Sequence, residues 1–249
     1  MTGAREIPLS DFRHPISDFR HVDCWVFDLD NTLYPADCHL FREIDSRMTE
    51  FICTRLGFDF DEARRLQKEY YRRYGTTMCG LMREHDVAPE TFMDFVHDID
   101  LSPVVANHAL GAGLAALPGR KFVFTNGSAR HAENVMARLG IGAHFDAIFD
   151  IKAANFTPKP HREAYERFLA AHDVAPAAAA MFEDIAHNLK AAHALGMTTV
   201  LVCSRAAWIA DEPADKRPAV AGETHDFVHH ATDDLAGFLG AAMTKASAA

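Results

Sequence analysis

Paired carboxylates end an apolar stretch near the start of the chain. In CWVFDLDNTLYP, residues 24–35, the apolar residues 25–27 run directly into Asp28 and Asp30. A carboxylate can attack phosphorus once a metal ion and a lysine neutralise the charge of the phosphoryl group. A second carboxylate two residues on can give a proton to the leaving oxygen and then take one from water. The pair therefore predicts phosphoryl chemistry if other segments supply the cations.

Polar and charged groups also follow the other predicted strands. They are Thr32, Thr125, Asn126, Lys159, Glu183, Asp184 and, one turn further on, Asn188. Ligands of an open parallel sheet bind outside the carboxyl ends of its strands. Clustered acids repel one another unless a cation joins them, and hard carboxylate oxygens suit Mg²⁺. Lys159 and Thr125 can hold a phosphate by hydrogen bonds, so we expect Lys159 and Asp184 to lie within ~10 Å of Asp28.

The elements that must position these groups alternate between apolar runs and helical patterns. The runs that read as strands are Val22 to Phe27, Phe122 to Phe124, residues 145–150, AAMFEDI with Met181 and Phe182, and TTVLVCS with Val200 to Val202. Each run is continuous rather than alternating, which is typical of strands covered on both faces. Strands and helices at this spacing predict an α/β fold with a doubly wound parallel sheet. Beyond about residue 205 we expect only a final helix near Asp233 to Met243.

A long helical segment interrupts this alternation. Apolar residues at helical spacing mark one helix from Phe41 to Leu56 that ends at Gly57, and a second from Ala63 to Tyr74 that ends at Gly75. Further helical stretches follow, and an insertion of this length needs its own small core. We therefore predict a core domain of residues 1–35 and 113–249 with an all-helical cap domain of residues 36–112.

Few side chains of the predicted cap stand out as substrate contacts. Thr76 and Thr77 are small and polar at a helix junction, so we take them as candidate groups that face the leaving group. Tyr70 and Tyr74 lie at core positions of their helix, and we expect them to pack inside the cap rather than to touch the substrate.

Composition argues against several other classes of function. The net charge of −10 argues against a nucleic-acid polymer as partner but not against a small phosphorylated metabolite. The five cysteines form no C-x-x-C pair, so we expect no disulfides and a cytoplasmic location. No apolar run approaches the ~20 residues that span a bilayer, and residues 1–14 lack the apolar core of a signal peptide. The fifteen histidines are scattered, with one adjacent pair, His229-His230, in a polar segment that we expect to be exposed.

The combined motifs resemble those of a known family. D-x-D-x-T at 28–32, Thr125, Lys159 and the acidic pair at 183–184 are similar, in order and spacing, to the four motifs of the haloacid dehalogenase-like superfamily. The resemblance covers about residues 20–205 and implies a Rossmann-like core with a cap. It also implies a phosphohydrolase with an aspartyl-phosphate intermediate on Asp28. Mg²⁺ would be held by the Asp28 side chain, the backbone carbonyl of Asp30, and Asp184.

One branch of that superfamily is more similar than the others. YGTTMCGL, FTNGSARHAENVMARLGI and EDIAHNLKAAHALGMTTV resemble the pyrimidine 5'-nucleotidase branch, which implies a pyrimidine nucleoside 5'-monophosphate as substrate. Many members carry two aspartates where this chain has Glu183 and Asp184. We expect Glu183 to bind the water molecules on the metal rather than the metal itself, and Asn188 to orient Lys159 or the groups around the metal.

Other functions remain open on the same residues. A sugar-phosphate phosphatase or a phosphomutase would use the same groups, and access of water under the cap would decide between them. A haloacid dehalogenase needs the first aspartate but neither an acid at Asp30 nor a metal. A catalytically idle binding protein would not need to retain every charged group of the chemistry. The sequence indicates no oligomeric state.

Overall fold

A parallel sheet forms the centre of the computed structural model, which describes residues 19–211 and 217–246 of the 249-residue chain. Its strands are β1 (Cys24–Phe27), β2 (Arg120–Phe124), β3 (Ala147–Phe149), β4 (Ala179–Glu183), β5 (Thr198–Ser204), β6 (Ala219–Val220) and β7 (His230–Thr232). They lie in the order β3-β2-β1-β4-β5-β6, with β7 also paired to β5, and all pairings are parallel. The N-terminal residues 1–14, considered above for a signal peptide, lie outside the described residues.

Helices alone occupy the chain between β1 and β2. They are α1 (Leu40–Leu56), α2 (Phe60–Tyr74), α3 (Thr77–His85), α4 (Pro89–Val96) and α5 (His108–Ala116). The first four helices share a separate hydrophobic core around Phe51, Ile52, Leu81 and Phe92. The all-helical insertion is therefore present, and Gly57 ends α1 in the left-handed conformation that suits glycine. The predicted domain boundaries at residues 36 and 112 stay predictions.

Helices cover both faces of the sheet. After α5 come α6 (Ala129–Leu139), α7 (Arg162–Ala171), α8 (Ala186–Ala194) and α9 (Leu235–Ala246). Trp25 and Phe27 of β1 face a core shared with α5, α6 and α9, whereas Cys24 and Val26 face a core shared with α7 and α8. All four side chains of β1 are fully buried. This two-sided burial explains why the strands are continuously apolar, and the predicted doubly wound α/β fold is confirmed.

The region after β5 differs from the prediction. Two short parallel strands, β6 and β7, extend the sheet before α9. They have two and three residues, too few for a pattern of hydrophobicity to indicate them. The expectation that His229-His230 is exposed holds for His229 but is wrong for His230, which lies in β7 and is buried. His229 Nδ1 lies 3.0 Å from the backbone nitrogen of Thr199.

Two further features bear on the sequence predictions. The strand expected from Val22 begins instead at Cys24, since the backbone N–H of Val22 donates to the carbonyl of Phe19 in a turn. All five cysteines are unpaired. Among the described residues, the helices are too short or too polar to cross a bilayer.

Candidate active site

Carboxylates from two neighbouring strands surround one ammonium group. Asp28 directly follows β1, and Glu183 is the last residue of β4. Lys159 Nζ lies 2.6 Å from Asp28 Oδ1, 2.7 Å from Glu183 Oε2 and 2.8 Å from the carbonyl oxygen of Phe124. These three acceptors occupy all three N–H donors of the ammonium group. Lys159 is only 2% exposed, so this is a buried ion-pair network.

The acids outnumber the cations in this network. Carboxylate oxygens of Asp28, Glu183 and Asp184 lie within 4.8 Å of one another. Both oxygens of Glu183 accept hydrogen bonds, from Lys159 and from the backbone N–H of Ile185, which lies 3.2 Å away. Asp184 Oδ2 is buried and accepts none from the described residues. Three buried carboxylates against one ammonium group, with one unpartnered oxygen, form a donor set that fits a divalent cation.

Burial and mutual repulsion change the acidity of these groups. Burial, together with the Glu183 carboxylate, raises the pKa of Asp28 to about 8 against the opposing effect of Lys159. The same causes raise the pKa of Asp184 well above its usual range. Burial alone would lower the pKa of Lys159, but Asp28 and Glu183 outweigh it and raise that pKa. The lysine therefore keeps its charge, and the acids need further positive charge to be ionised together.

The side chain of Asn126 fixes the loop that carries Lys159. Its Oδ1 accepts from the backbone N–H of Lys159 at 2.8 Å, and its Nδ2 donates to the carbonyl of Lys159 at 3.2 Å. Thr125 Oγ1 accepts from the backbone N–H of Gly127 at 2.9 Å, which leaves its own O–H free to donate. Thr125 therefore keeps a donor for a bound anion, whereas a phosphate contact from Asn126 would have to use its backbone N–H or its second amide hydrogen.

Asp30 is held by two residues that the sequence did not single out. Tyr34 Oη lies 2.6 Å and His131 Nε2 lies 3.0 Å from the same oxygen, Asp30 Oδ1. The ring of His97 stacks on the ring of His131, with 4.3 Å between the ring centroids. His97 Nδ1 lies 3.0 Å from Ser128 Oγ. Burial would raise the pKa of Asp30, but His131 and Tyr34 outweigh it and lower that pKa. Tyr34 could have been noticed within DLDNTLYP, four residues after Asp30, while nothing in the sequence marks His131.

A cavity of about 530 Å³ joins these groups to the helical insertion. Its sheet side includes Asp28, Asp30, Thr125, Lys159 and Asp184. Its opposite wall includes a polar set on α1 and α2 that we name the Asp45 cluster: Asp45, Thr49, Arg64, Gln67 and Lys68.

The carboxylate of Asp45 organises this cluster. It accepts from Arg64, from Gln67 Nε2 at 2.6 Å and from Lys68 Nζ at 3.2 Å, while Thr49 Oγ1 donates to Gln67 Oε1 at 2.5 Å. Sequence reasoning missed the cluster because charged residues at helical spacing usually mark a solvent-exposed face.

The two predicted contact residues of the cap also line the cavity. Thr76 Oγ1 accepts from the backbone N–H of Cys79 and caps the start of α3. Thr77 Oγ1 donates to the carbonyl of Gln67 at 3.3 Å. Both hydroxyls thus have structural partners, and their contact with a substrate stays a prediction. Tyr70 is buried in the hydrophobic core of the insertion, as expected, and Tyr74 packs against that core.

The two remaining predicted residues are both buried. Thr32 Oγ1 is buried and has no hydrogen-bond partner among the described residues. Asn188 is buried and lines the cavity, and its carbonyl accepts from Tyr165 Oη. Asn188 does not bind the ammonium group of Lys159, whose three donors are taken by Asp28, Glu183 and a backbone carbonyl. A role for Asn188 near a metal stays a prediction.

Comparison with known proteins decides the family. The model of the haloacid dehalogenase-like hydrolases matches residues 22–196, which is more than half of the chain. The chain belongs to the haloacid dehalogenase-like hydrolase family. The matched range contains every residue of the four sequence motifs, from Asp28 to Asp184, so the family predicted from the motifs is confirmed.

The individual relatives that match share 30% or less of their residues with this chain. The chain is 30% identical over 191 residues to phosphate metabolism protein 8 of Saccharomyces cerevisiae; the match covers 70% of the chain and only 60% of that protein. CbbY from Rhodobacter sphaeroides in complex with phosphate is similar in structure, with 17% identity and a TM-score of 0.57 over 86% of this chain and 95% of that one. L-2-haloacid dehalogenase from Xanthobacter autotrophicus has 15% identity and a TM-score of 0.53 over 88% and 97%. At these identities the structural likenesses show the fold alone.

The excess of buried negative charge predicts an unusual response to substitution. Asp184→Asn removes an acid whose ionisation is unfavourable beside two buried carboxylates. It also replaces the unpartnered oxygen, whose burial costs about 1–3 kcal/mol, by an amide group that can donate. In the presence of a chelator, we expect the variant to be more stable than the wild type by about 1 kcal/mol or more, a rise in Tm of about 2–4 °C.

Thermal unfolding measures this difference, and Asp94→Asn is the matched control. Asp94 is 66% exposed and pairs with an exposed arginine, so its substitution should change Tm little. A lower Tm for Asp184→Asn than for Asp94→Asn would contradict the excess of negative charge.

Proposed function

We propose that the protein is a Mg²⁺-dependent phosphomonoester hydrolase that acts through an aspartyl-phosphate on Asp28. The observation that carries the proposal is the buried network in which Lys159 joins Asp28 to Glu183 beside the unpartnered carboxylate oxygen of Asp184. With Mg²⁺ bound among the acids, such a network would have the positive charge to neutralise both a carboxylate nucleophile and a phosphoryl group that approaches it. The relative named for phosphate metabolism and the phosphate-bound structural neighbour support this choice within the family.

Each residue has a distinct role in this mechanism. The Asp28 carboxylate attacks phosphorus, and Asp30 gives a proton to the leaving oxygen and later takes one from water. The free O–H of Thr125 donates to a phosphoryl oxygen. Lys159 holds Asp28 in place, and it would have to share one of its three donors to contact the phosphoryl group as well. Water then attacks the aspartyl-phosphate and releases inorganic phosphate.

The proposed metal site uses the same acids. Asp28 and Asp184 would supply side-chain oxygens and, as the family resemblance implies, Asp30 would supply its backbone carbonyl, while Tyr34 and His131 hold the Asp30 side chain. Glu183 has a donor on each oxygen, which supports its role behind the ligands rather than as one of them. A bound Mg²⁺ supplies positive charge that lets the acids be ionised together and stabilises charge on the phosphoryl oxygens.

For the substrate we propose a pyrimidine nucleoside 5'-monophosphate. The resemblance of three segments to the pyrimidine 5'-nucleotidase branch supports it, and the Asp45 cluster offers charged and amide groups across the cavity for a polar leaving group. A sugar phosphate or a phosphomutase reaction would use the same core groups and is the second candidate. The reaction of a haloacid dehalogenase would use neither the held carboxylate of Asp30 nor the unpartnered oxygen of Asp184.

Replacement of the nucleophile tests the mechanism. Asp28→Asn removes the attacking carboxylate, so we expect kcat for p-nitrophenyl phosphate to fall by about 10³-fold or more. A chelator should abolish turnover by the wild type, and added Mg²⁺ should restore it. Asp94→Asn, at an exposed residue that does not line the cavity, should keep its full activity. Undiminished turnover by Asp28→Asn, or in the presence of the chelator, would contradict the mechanism.

A panel of phosphorylated metabolites tests the substrate. Uridine and cytidine 5'-monophosphates should show kcat/KM values at least about tenfold above those of sugar phosphates, a difference of about 1.4 kcal/mol in transition-state binding. Release of inorganic phosphate measures the rates. If sugar phosphates react as fast, the assignment to nucleotides fails while the phosphatase mechanism stands.

A further inference from the structure

Both donors that reach Asp30 bind the same carboxylate oxygen. Tyr34 Oη and His131 Nε2 lie 2.6 Å and 3.0 Å from Oδ1. A carboxylate oxygen only accepts, so both groups donate to it. Oδ2 receives no hydrogen bond from the residues that the structure describes, and Asp30 lines the cavity. The two oxygens of one carboxylate therefore have different environments.

The two donors are themselves fixed. Tyr34 and His131 are each 1% exposed. The ring of His97 lies almost parallel to that of His131, at an interplanar angle of 8°. Ser128, at the start of α6, places its Oγ 3.0 Å from His97 Nδ1. A rotation of the Asp30 carboxylate away from this position would break two hydrogen bonds from buried donors at once.

We infer that His131 and Tyr34 are positioning residues that reserve Asp30 Oδ2 for proton transfer. The inference rests on the proposed function. Because Oδ1 already accepts two hydrogen bonds, the transferable proton must be carried on Oδ2. As Asp28 bonds to phosphorus and the P–O bond of the ester breaks, that proton passes to the leaving oxygen. As water then bonds to phosphorus and the bond to Asp28 breaks, Oδ2 takes the proton from the water.

The inference predicts that the loss of activity caused by a misplaced Asp30 depends on the leaving group of the substrate. General acid catalysis contributes about 10²–10⁴-fold when the leaving oxygen is basic, as in an alkyl ester. The p-nitrophenolate ion is a weak base and departs without a proton. Misplacement of Asp30 should therefore slow the cleavage of an alkyl phosphate much more than that of p-nitrophenyl phosphate. A purely structural defect should slow both equally.

The experiment compares two substitutions of His131. His131→Leu removes the donor, whereas His131→Gln keeps a side-chain N–H of similar reach. For each variant we would measure kcat/KM with p-nitrophenyl phosphate and with uridine 5'-monophosphate, because kcat/KM reports the first half-reaction, in which the leaving group departs. For His131→Leu the nucleotide value should fall at least about tenfold more than the aryl value. His131→Gln should recover most of that difference.

A second variant keeps the test decisive if His131→Leu folds poorly. Tyr34→Phe removes only the hydroxyl and should shift the ratio of the two kcat/KM values in the same direction. Equal losses on both esters, or no loss for any variant, would overturn the inference while the phosphatase assignment stands. A wild-type protein that is inactive on both esters would overturn the proposed function and the inference with it.

Discussion

The structure depends on the burial of like charges around a single lysine. Asp28 and Glu183, at the ends of β1 and β4, share the ammonium group of Lys159, and the carboxylate of Asp184 lies beside them without a cation of its own. Such an arrangement is unfavourable for stability, since the desolvation of the acids exceeds what one ammonium group returns. It becomes favourable when a divalent cation neutralises the excess negative charge. The folded protein thus carries a site that is electrostatically prepared for a divalent cation, and the cation would in turn attract a phosphoryl group.

The order of the strands brings these groups together. β1 lies between β2 and β4, so the residues that follow three adjacent strands meet at one edge of the sheet. Lys159 comes from the loop after β3, at the far side of β2, and Asn126 ties that loop back to the end of β2. The helical insertion begins shortly after Asp28 and Asp30 in the sequence, which explains why its helices α1 and α2 help to line the cavity.

The sequence predicted the central features because their signals are local. The continuous apolar runs predicted the first five strands, and apolar residues at helical spacing predicted the insertion. Contacts between distant segments were less accessible. His131 meets Asp30 across 101 positions of sequence, and in α6 it occupies an ordinary buried helical position. In the sequence, the Asp45 cluster has the pattern of a solvent-exposed helix face. Strands as short as β6 and β7 have no periodicity to detect.

The central claim is that a divalent cation belongs among the acids that surround Lys159. Crystals grown with Mn²⁺ in place of Mg²⁺ would test it most directly, because the anomalous scattering of Mn²⁺ locates the ion. We predict a single strong peak bound by carboxylate oxygens of Asp28 and Asp184, at distances close to the ~2.1 Å typical of Mg²⁺. Absence of a peak there at millimolar Mn²⁺, or a peak that these two residues do not contact, would contradict the account.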